Sequence, residues 1–119
     1  MKYRMGSGES IFADLIWTNE PISSGQLAQK ARESLQWKKT TSFTVLKRLC
    51  DRGLFQNCQG VVTSIISRED YYANHSKQYV EEMFGGSLPA FLTAFSSNKK
   101  LSDEEIDNIQ KMIDSMKEK

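Results

Sequence analysis

The feature that most constrains the fold of this chain is a basic amphipathic stretch at residues 37–53, WKKTTSFTVLKRLCDRG. Three apolar residues recur there at helical spacing and predict a buried stripe: Val45, Leu46 and Leu49. The helix is expected to begin near Lys39 and to end at Gly53, because glycine is the residue that most often follows a helix C-terminus.

The opposite face of this helix combines hydroxyl groups with positive charge. The stretch holds five basic residues against one acidic residue, a net charge of +4. Helix N-terminal amides and basic side chains bind phosphate, and threonine contacts base edges, so this face suits a DNA major groove. The alternative is an ordinary amphipathic helix with a solvated basic face. The candidate DNA-binding residues of the helix are Lys38, Lys39, Thr40, Thr41, Phe43, Thr44, Lys47 and Arg48.

A β-hairpin is predicted directly after this helix. The segment LFQNCQGVVTSII at residues 54–66 places strand-forming residues on both sides of a turn-rich centre, residues 57–60. Asn57 and Gln59 at the hairpin tip are added to the candidate DNA-binding residues, because such a hairpin reaches the backbone that flanks the major groove.

Two further helices are predicted before the basic one. Residues 1–8 form a loose basic arm, and helix one covers about 9–18 with one apolar face: Ile11, Phe12, Leu15 and Ile16. Ser23 and Gln26 form a capping-box pattern that begins helix two, which extends to about Leu35. Three helices followed by a hairpin is the order of a winged helix-turn-helix.

The second half of the chain is predicted to be helical. A fourth helix starts at Ser67 and stops at Gly85, a short apolar segment with Pro89 follows, and a capping box at Ser102 and Glu105 begins the last helix. These helices hold too many apolar residues for a tail and too few residues for a core, which favours self-association. The predicted dimer interface contains Tyr72, Tyr79, Phe84, Leu88, Phe91, Leu92, Phe95, Ile106, Ile109, Ile113 and Met116.

The distribution of charge supports the same division. Residues 1–66 hold nine Lys or Arg against five Asp or Glu, a net +4, whereas residues 67–119 hold seven against ten, a net −3. The predicted fold is therefore mostly α with a small β-hairpin. It consists of a winged-helix DNA-binding domain at residues 1–66 and a helical dimerisation region at residues 67–119.

Composition excludes several classes of function. No apolar run is long enough for a membrane span or a signal peptide, so a cytoplasmic protein without a membrane partner is expected. Cys50 and Cys58 are expected to be free thiols, and one histidine with two separated cysteines gives neither a metal site nor a catalytic pair. We therefore predict no enzymatic activity and no cofactor.

The sequence also resembles the penicillinase-repressor family, which includes methicillin-resistance and copper-responsive repressors. The resemblance covers roughly residues 9–116 and is carried by WKKTTSFTVLKRLCDRGLF, a short wing, SREDYY, FGGSLPAFL and LSDEEI. It implies a dimeric bacterial repressor with a winged helix on a palindromic operator and a C-terminal dimerisation region. It also implies an upstream sensor or protease, which the sequence does not identify.

Carried over by position, the family's base-reading residues fall on Thr40, Thr41, Phe43 and Thr44, and its helix-end arginine falls on Arg48. The β-lactam-responsive members have Lys and Arg where this chain has Thr40 and Phe43, which cannot make bidentate contacts to guanine. A different operator is expected, with Phe43 packing on thymine methyl groups.

Two regulatory features of the family are altered in this chain. The protease-sensitive Asn-Phe bond of the β-lactam branch corresponds to Ala94-Phe95, so the resemblance does not carry release of repression by proteolysis over to this chain. The cysteine-rich tail of the copper branch has no counterpart, since no cysteine follows Cys58.

Two hypotheses follow from these observations. The leading one is a homodimeric transcriptional repressor that binds a palindromic double-stranded DNA operator. The alternative is a winged-helix protein-interaction module whose basic face binds an acidic protein without sequence-specific DNA binding.

Overall fold

The computed structural model describes residues 5–118, and in that range the chain forms six helices and three short strands. The mostly α fold with a small hairpin is confirmed, and the order of its elements matches the predicted winged helix followed by helices. The elements are α1 (Ser7–Asn19), β1 (Ile22–Ser23), α2 (Ser24–Leu35), α3 (Lys39–Asp51), β2 (Phe55–Cys58), β3 (Val61–Ser64), α4 (Arg68–Phe84), α5 (Leu88–Asn98) and α6 (Asp103–Lys117).

The chain divides into two compact units within α4, one up to residue 78 and one from residue 79. The start of α4 belongs to the first unit because Tyr71 is only 2% exposed and packs on Trp17, with ring centroids 5.8 Å apart. Arg68 adds an ion pair to Asp14 of α1 at 3.1 Å. The functional boundary between residues 66 and 67 stays a prediction, while the packing boundary lies later in the chain.

The first unit has a continuous apolar core formed by α1, α2, α3, the sheet and the start of α4. In α1 the buried residues are Phe12, Ala13 and Ile16, whereas Ile11 is 46% exposed. The prediction that Ile11 lies on the buried face was therefore wrong. The apolar pattern of α1 is broad enough for more than one rotation, and packing on α2 selects among them. The largest fully buried apolar side chains are Phe12, Phe55, Ile16, Leu27, Leu49, Leu54 and Val62.

The predicted basic arm is only partly covered by the structure. Residues 1–4 lie outside the described range, but Met5 is buried and its amide donates to the Tyr71 hydroxyl at 3.3 Å. Gly6 is the N-cap of α1, which begins at Ser7. The prediction of a loose arm was therefore wrong for residues 5–8, because the Met5 side chain contributes to the core.

The sheet has three strands in the order β1-β3-β2, all antiparallel, instead of the two-stranded hairpin that the sequence predicts. The additional strand, β1, pairs Ile22 with Val62 and Ser23 with Val61. Two residues are too few to show an alternating pattern, so this strand has no sequence signal. Ser23 also caps α2 as predicted, accepting a hydrogen bond from the Gln26 amide at 3.0 Å.

The hairpin turn is shorter than the predicted four-residue centre. Asn57 and Cys58 belong to β2, where they pair with Val62 and Val61. The turn itself is Gln59-Gly60, and both residues have positive φ (53° and 86°), as a two-residue type I′ turn requires. The Asn57 side chain closes this turn because its Oδ1 accepts a hydrogen bond from the Gly60 amide at 2.9 Å.

The second unit contains α5, α6 and the end of α4, and none of its described side chains is fully buried. It contains an aromatic cluster in which the rings of Phe84 and Phe91 are 5.6 Å apart and those of Phe91 and Phe95 are 6.2 Å apart. The predicted capping box at Ser102 begins α6, and the hydrogen bond from the Ser102 backbone amide lowers the pKa of Glu105.

No helix within residues 5–118 combines the length and the apolar character that a membrane span requires.

The packing of α3 gives a stability prediction at Ser42. This residue is 1% exposed, and its hydroxyl has no hydrogen-bond partner among the described residues. Replacing Ser42 by Ala removes an unsatisfied buried oxygen and improves helix propensity, so we expect an unfolding free energy about 0.5 kcal/mol higher. Chemical denaturation measures this change. Leu49→Ala on the same face serves as the control and should cost about 2–5 kcal/mol; a decrease of stability in Ser42→Ala would contradict the described packing.

Candidate nucleic-acid interface

The surface of α3 is set by the residues that it buries. Val45, Leu46 and Leu49 are buried as predicted, and Ser42 joins them. With about 3.6 residues per turn, this places Thr40, Thr44, Lys47 and Asp51 most nearly opposite the core. All eight candidate residues from this helix and its N-cap are exposed: Lys38, Lys39, Thr40, Thr41, Phe43, Thr44, Lys47 and Arg48.

Three threonines lie near the start of α3. Thr40, Thr41 and Thr44 line a shallow depression together with Val45 and Arg48. The Thr44 hydroxyl donates to the Thr40 carbonyl oxygen at 2.9 Å. Since its proton is engaged in this bond, the Thr44 oxygen presents an acceptor to the surroundings, alongside its methyl group.

Phe43 projects from one side of the helix and is 39% exposed. The Lys39 ammonium group lies 5.6 Å from the centre of the Phe43 ring, within the range of a cation–π interaction. This contact keeps an apolar ring and a positive charge together on the outer surface. Phe43 is therefore an exposed surface residue and does not belong to the core.

The two basic side chains in the second half of α3 differ in their acidic partners. Lys47 pairs with Asp51 at 3.4 Å, and these side chains are 79% and 66% exposed. Arg48 pairs with Glu9 of α1 at 2.7 Å, where the Glu9 side chain is only 16% exposed. An exposed pair of the first kind contributes little and is readily exchanged for other partners.

The hairpin contributes polar groups without charge. No Lys or Arg occurs between Arg52 and Arg68, so positive charge near the wing comes from the adjacent helices. Asn57 and Gln59 are both exposed. Because Asn57 Oδ1 accepts from Gly60, the side-chain amide of Asn57 is the group that remains to act as a donor.

Contacts from α1 and the loop before α3 hold the helix in place. Trp37 packs on Phe12 with ring centroids 5.3 Å apart, and a Cβ added to Gly8 would lie 3.1 Å from the Trp37 ring. Glu9, which binds Arg48 from a position 39 residues away, is not among the residues that the sequence predicts for the site. No local pattern indicates such a pair, because it depends on how α1 crosses α3.

The thiols and the histidine do not form a metal site. Cys50 and Cys58 are free, and no group of three potential ligands occurs within residues 5–118. Burial raises the pKa of the Cys50 thiol, and the neighbouring Asp51 carboxylate raises it further. His75 packs against Tyr71 with ring centroids 4.2 Å apart.

The residues predicted for a dimer interface occupy two different environments. Tyr72 lies in the first unit, where its ring is 6.1 Å from that of Trp17. The other ten lie in the second unit. Four of them are half-buried: Phe84, Phe91, Leu92 and Ile109. Six are exposed: Tyr79, Leu88, Phe95, Ile106, Ile113 and Met116.

Comparison with known proteins identifies relatives over nearly the whole chain. The family model described as penicillinase repressor matches residues 5–115. A penicillinase repressor of Bacillus licheniformis is 26% identical over 107 residues, covering 87% of this chain and 84% of that protein. The methicillin resistance regulatory protein MecI of Staphylococcus aureus is 20% identical over 115 residues, covering 93% of this chain and 94% of that protein.

The match to the family model includes all of α1 to α5 and most of α6, so it spans both compact units. The chain therefore belongs to the penicillinase repressor family, a family of transcriptional repressors.

Proposed function

We propose that this protein is a sequence-specific DNA-binding repressor that acts as a homodimer on a palindromic operator. The observation that carries the proposal is the outer face of α3 and its N-cap, where eight exposed side chains combine hydroxyl, aromatic and basic groups. The penicillinase repressor named among the relatives makes repression of transcription the natural context for such a face. The function needs no catalytic residue and no cofactor.

In this proposal α3 enters the major groove with its N-terminal half. Lys38, Lys39 and Lys47 neutralise backbone phosphates, and the amides at the start of α3 bind a phosphate because Lys38 provides no side-chain cap. Thr40, Thr41 and Thr44 contact base edges through hydroxyl and methyl groups. Asn57 and Gln59 donate hydrogen bonds to the flanking backbone without adding charge.

The incomplete burial of the second unit supports the proposal that dimerisation occurs through it. An isolated set of short helices with no fully buried side chain covers too little apolar surface to be stable by itself. Large apolar side chains on α5 and α6 are exposed, among them Leu88, Phe95, Ile106 and Ile113. A second copy of this surface is the occupant that we propose, because two-fold association buries identical faces against each other. A two-fold dimer would present two α3 helices to half-sites roughly one DNA turn apart, or a multiple of it.

The function is tested by selection from a random double-stranded DNA library with the full-length protein, followed by binding measurements on the enriched sequence. We expect an inverted repeat that is bound at least about 1,000-fold more tightly than scrambled DNA. Enrichment of no sequence would contradict the proposal and favour the protein-interaction module.

The matched variants for this experiment distinguish the effect of positive charge on α3 from the effect of positive charge elsewhere on the protein. The double variant Lys39→Ala/Lys47→Ala should bind more weakly, and the slope of log K against log salt should decrease by about 0.9 for each phosphate that the variant no longer neutralises. Lys77→Ala, an exposed lysine of α4, serves as the control and should leave that slope unchanged. Equal effects of the two changes would place the DNA-binding surface elsewhere.

Phe43 provides a test of how the operator is recognised. Phe43→Ala removes an exposed ring, so the melting temperature should change little. The bases that the protein prefers at the operator positions contacted by the ring should change. Repeating the selection with the variant measures this change. A decrease of about 3 kcal/mol or more in unfolding free energy would instead identify Phe43 as a core residue.

The dimer interface is tested by adding a negative charge to the apolar face of α6 and, as a control, to its polar face. Ile113→Glu should dissociate the dimer, because a carboxylate in an apolar interface is costly to desolvate, and operator affinity should fall with it. Sedimentation equilibrium measures the oligomeric state. Ser115→Glu adds the same charge to an exposed position away from the apolar stripe and should stay dimeric. A monomeric wild-type protein that binds an inverted repeat tightly would refute the model.

A further inference from the structure

The contact between Glu9 and Arg48 joins the start of α1 to the last turn of α3. One carboxylate oxygen of Glu9, Oε2, accepts from the Arg48 guanidinium at 2.7 Å. The other oxygen, Oε1, accepts from the Gly6 amide at 3.1 Å. Both oxygens of the carboxylate are therefore engaged, which limits its rotation and gives the guanidinium a defined partner.

Burial makes this ion pair different from the other one on α3. The Glu9 side chain is 16% exposed, whereas the two side chains of the Lys47–Asp51 pair are 79% and 66% exposed. A short charge-assisted bond to a mostly buried carboxylate is stronger and less screened by salt than a bond between two solvated groups. Arg48 is thus held in place, while Lys47 exchanges its partner readily.

Arg48 nevertheless lies at the proposed DNA-binding surface. Its side chain is 46% exposed and lines the same depression as Thr40, Thr41 and Thr44. The carboxylate behind it offsets part of its positive charge. A guanidinium that is already paired with a carboxylate gains less binding free energy from a phosphate whose position does not match its orientation. Its planar set of donors nevertheless keeps a defined direction.

We propose that Glu9 is a positioning residue that acts through Arg48 and increases discrimination between operator and non-operator DNA. The inference rests on the DNA-binding function proposed above and assigns a role to a residue outside α3 and the hairpin. Glu9 does not contact DNA. It orients the guanidinium for the operator and lowers the affinity of Arg48 for phosphates at other sites, which raises the ratio of specific to non-specific affinity.

The experiment measures this ratio for the full-length protein with the selected operator and with scrambled DNA over a range of salt concentrations. Glu9→Gln retains an acceptor for the Gly6 amide but removes the charge that holds Arg48. We expect the ratio to fall by about tenfold, the size associated with one charge-assisted hydrogen bond. The slope of log K against log salt on scrambled DNA should become steeper by about 0.9 for each Arg48 that is released to a phosphate.

A double-mutant cycle distinguishes positioning from a general structural role. In an Arg48→Gln background, Glu9→Gln should leave the ratio unchanged within about twofold, because the residue through which it acts is absent. Asp51→Asn serves as the charge control: it frees Lys47 from an exposed carboxylate and should raise both affinities while leaving their ratio constant. Arg48→Lys retains the charge without the planar donors and should lower the ratio with an unchanged slope.

The outcomes separate this inference from the proposed function. An unchanged ratio in Glu9→Gln, or an equal decrease in the Arg48→Gln background, overturns the positioning role while operator binding by the wild-type protein stands. A decrease of the same size in Asp51→Asn also overturns it, since net charge alone would then explain the effect. A wild-type protein with no preference for any sequence overturns the DNA-binding function and this inference together. If Glu9→Gln does not fold, an unchanged ratio in Arg48→Lys overturns the inference.

Discussion

The structure of the first unit depends on the division of α3 into a buried and an exposed face. Val45, Leu46 and Leu49 anchor the helix in a core shared with α1, α2 and the sheet, and this anchoring determines which side chains face solvent. Turning the helix by a quarter would bury lysine and threonine and expose leucine, at a cost of several kcal/mol. The hairpin is fixed to the same helix through Leu54. Its backbone amide donates to the Leu49 carbonyl oxygen at 3.1 Å, and its side chain is fully buried.

The two units differ in how completely they bury their apolar side chains. The first buries large side chains such as Phe12 and Phe55 completely, so its helices and sheet stabilise one another. The second has aromatic contacts between Phe84, Phe91 and Phe95 but no fully buried side chain among its described residues. Three short helices enclose too small a volume to exclude water on all sides. Association with a second copy, as we propose, would bury the apolar surface that these helices leave exposed.

The basic side chains of the first unit differ in their positions and in their neighbouring groups. No basic residue occurs between Arg52, the C-cap of α3, and Arg68, the first residue of α4, so the hairpin itself carries no positive charge. Within α3, Lys39 lies beside the Phe43 ring, Lys47 has an exposed carboxylate partner, and Arg48 has a mostly buried one. In these three environments the two lysines can exchange partners readily, while the arginine keeps a defined direction.

Much of this protein was predictable from the sequence, because local patterns carry the information. Apolar spacing, the caps at Ser23 and Ser102 and the glycine at residue 53 located the helices, and the exposure of Lys39, Thr40 and Phe43 followed from the apolar stripe of α3. The family resemblance was also readable from short motifs. The tertiary structure alone decided the pairing of β1 with β3, the burial of Met5, the exposure of Ile11 and the bond between Glu9 and Arg48. Each of these features depends on how elements that are distant in the sequence pack against one another. Such contacts are not encoded by a local periodic pattern, so the sequence alone does not reveal them.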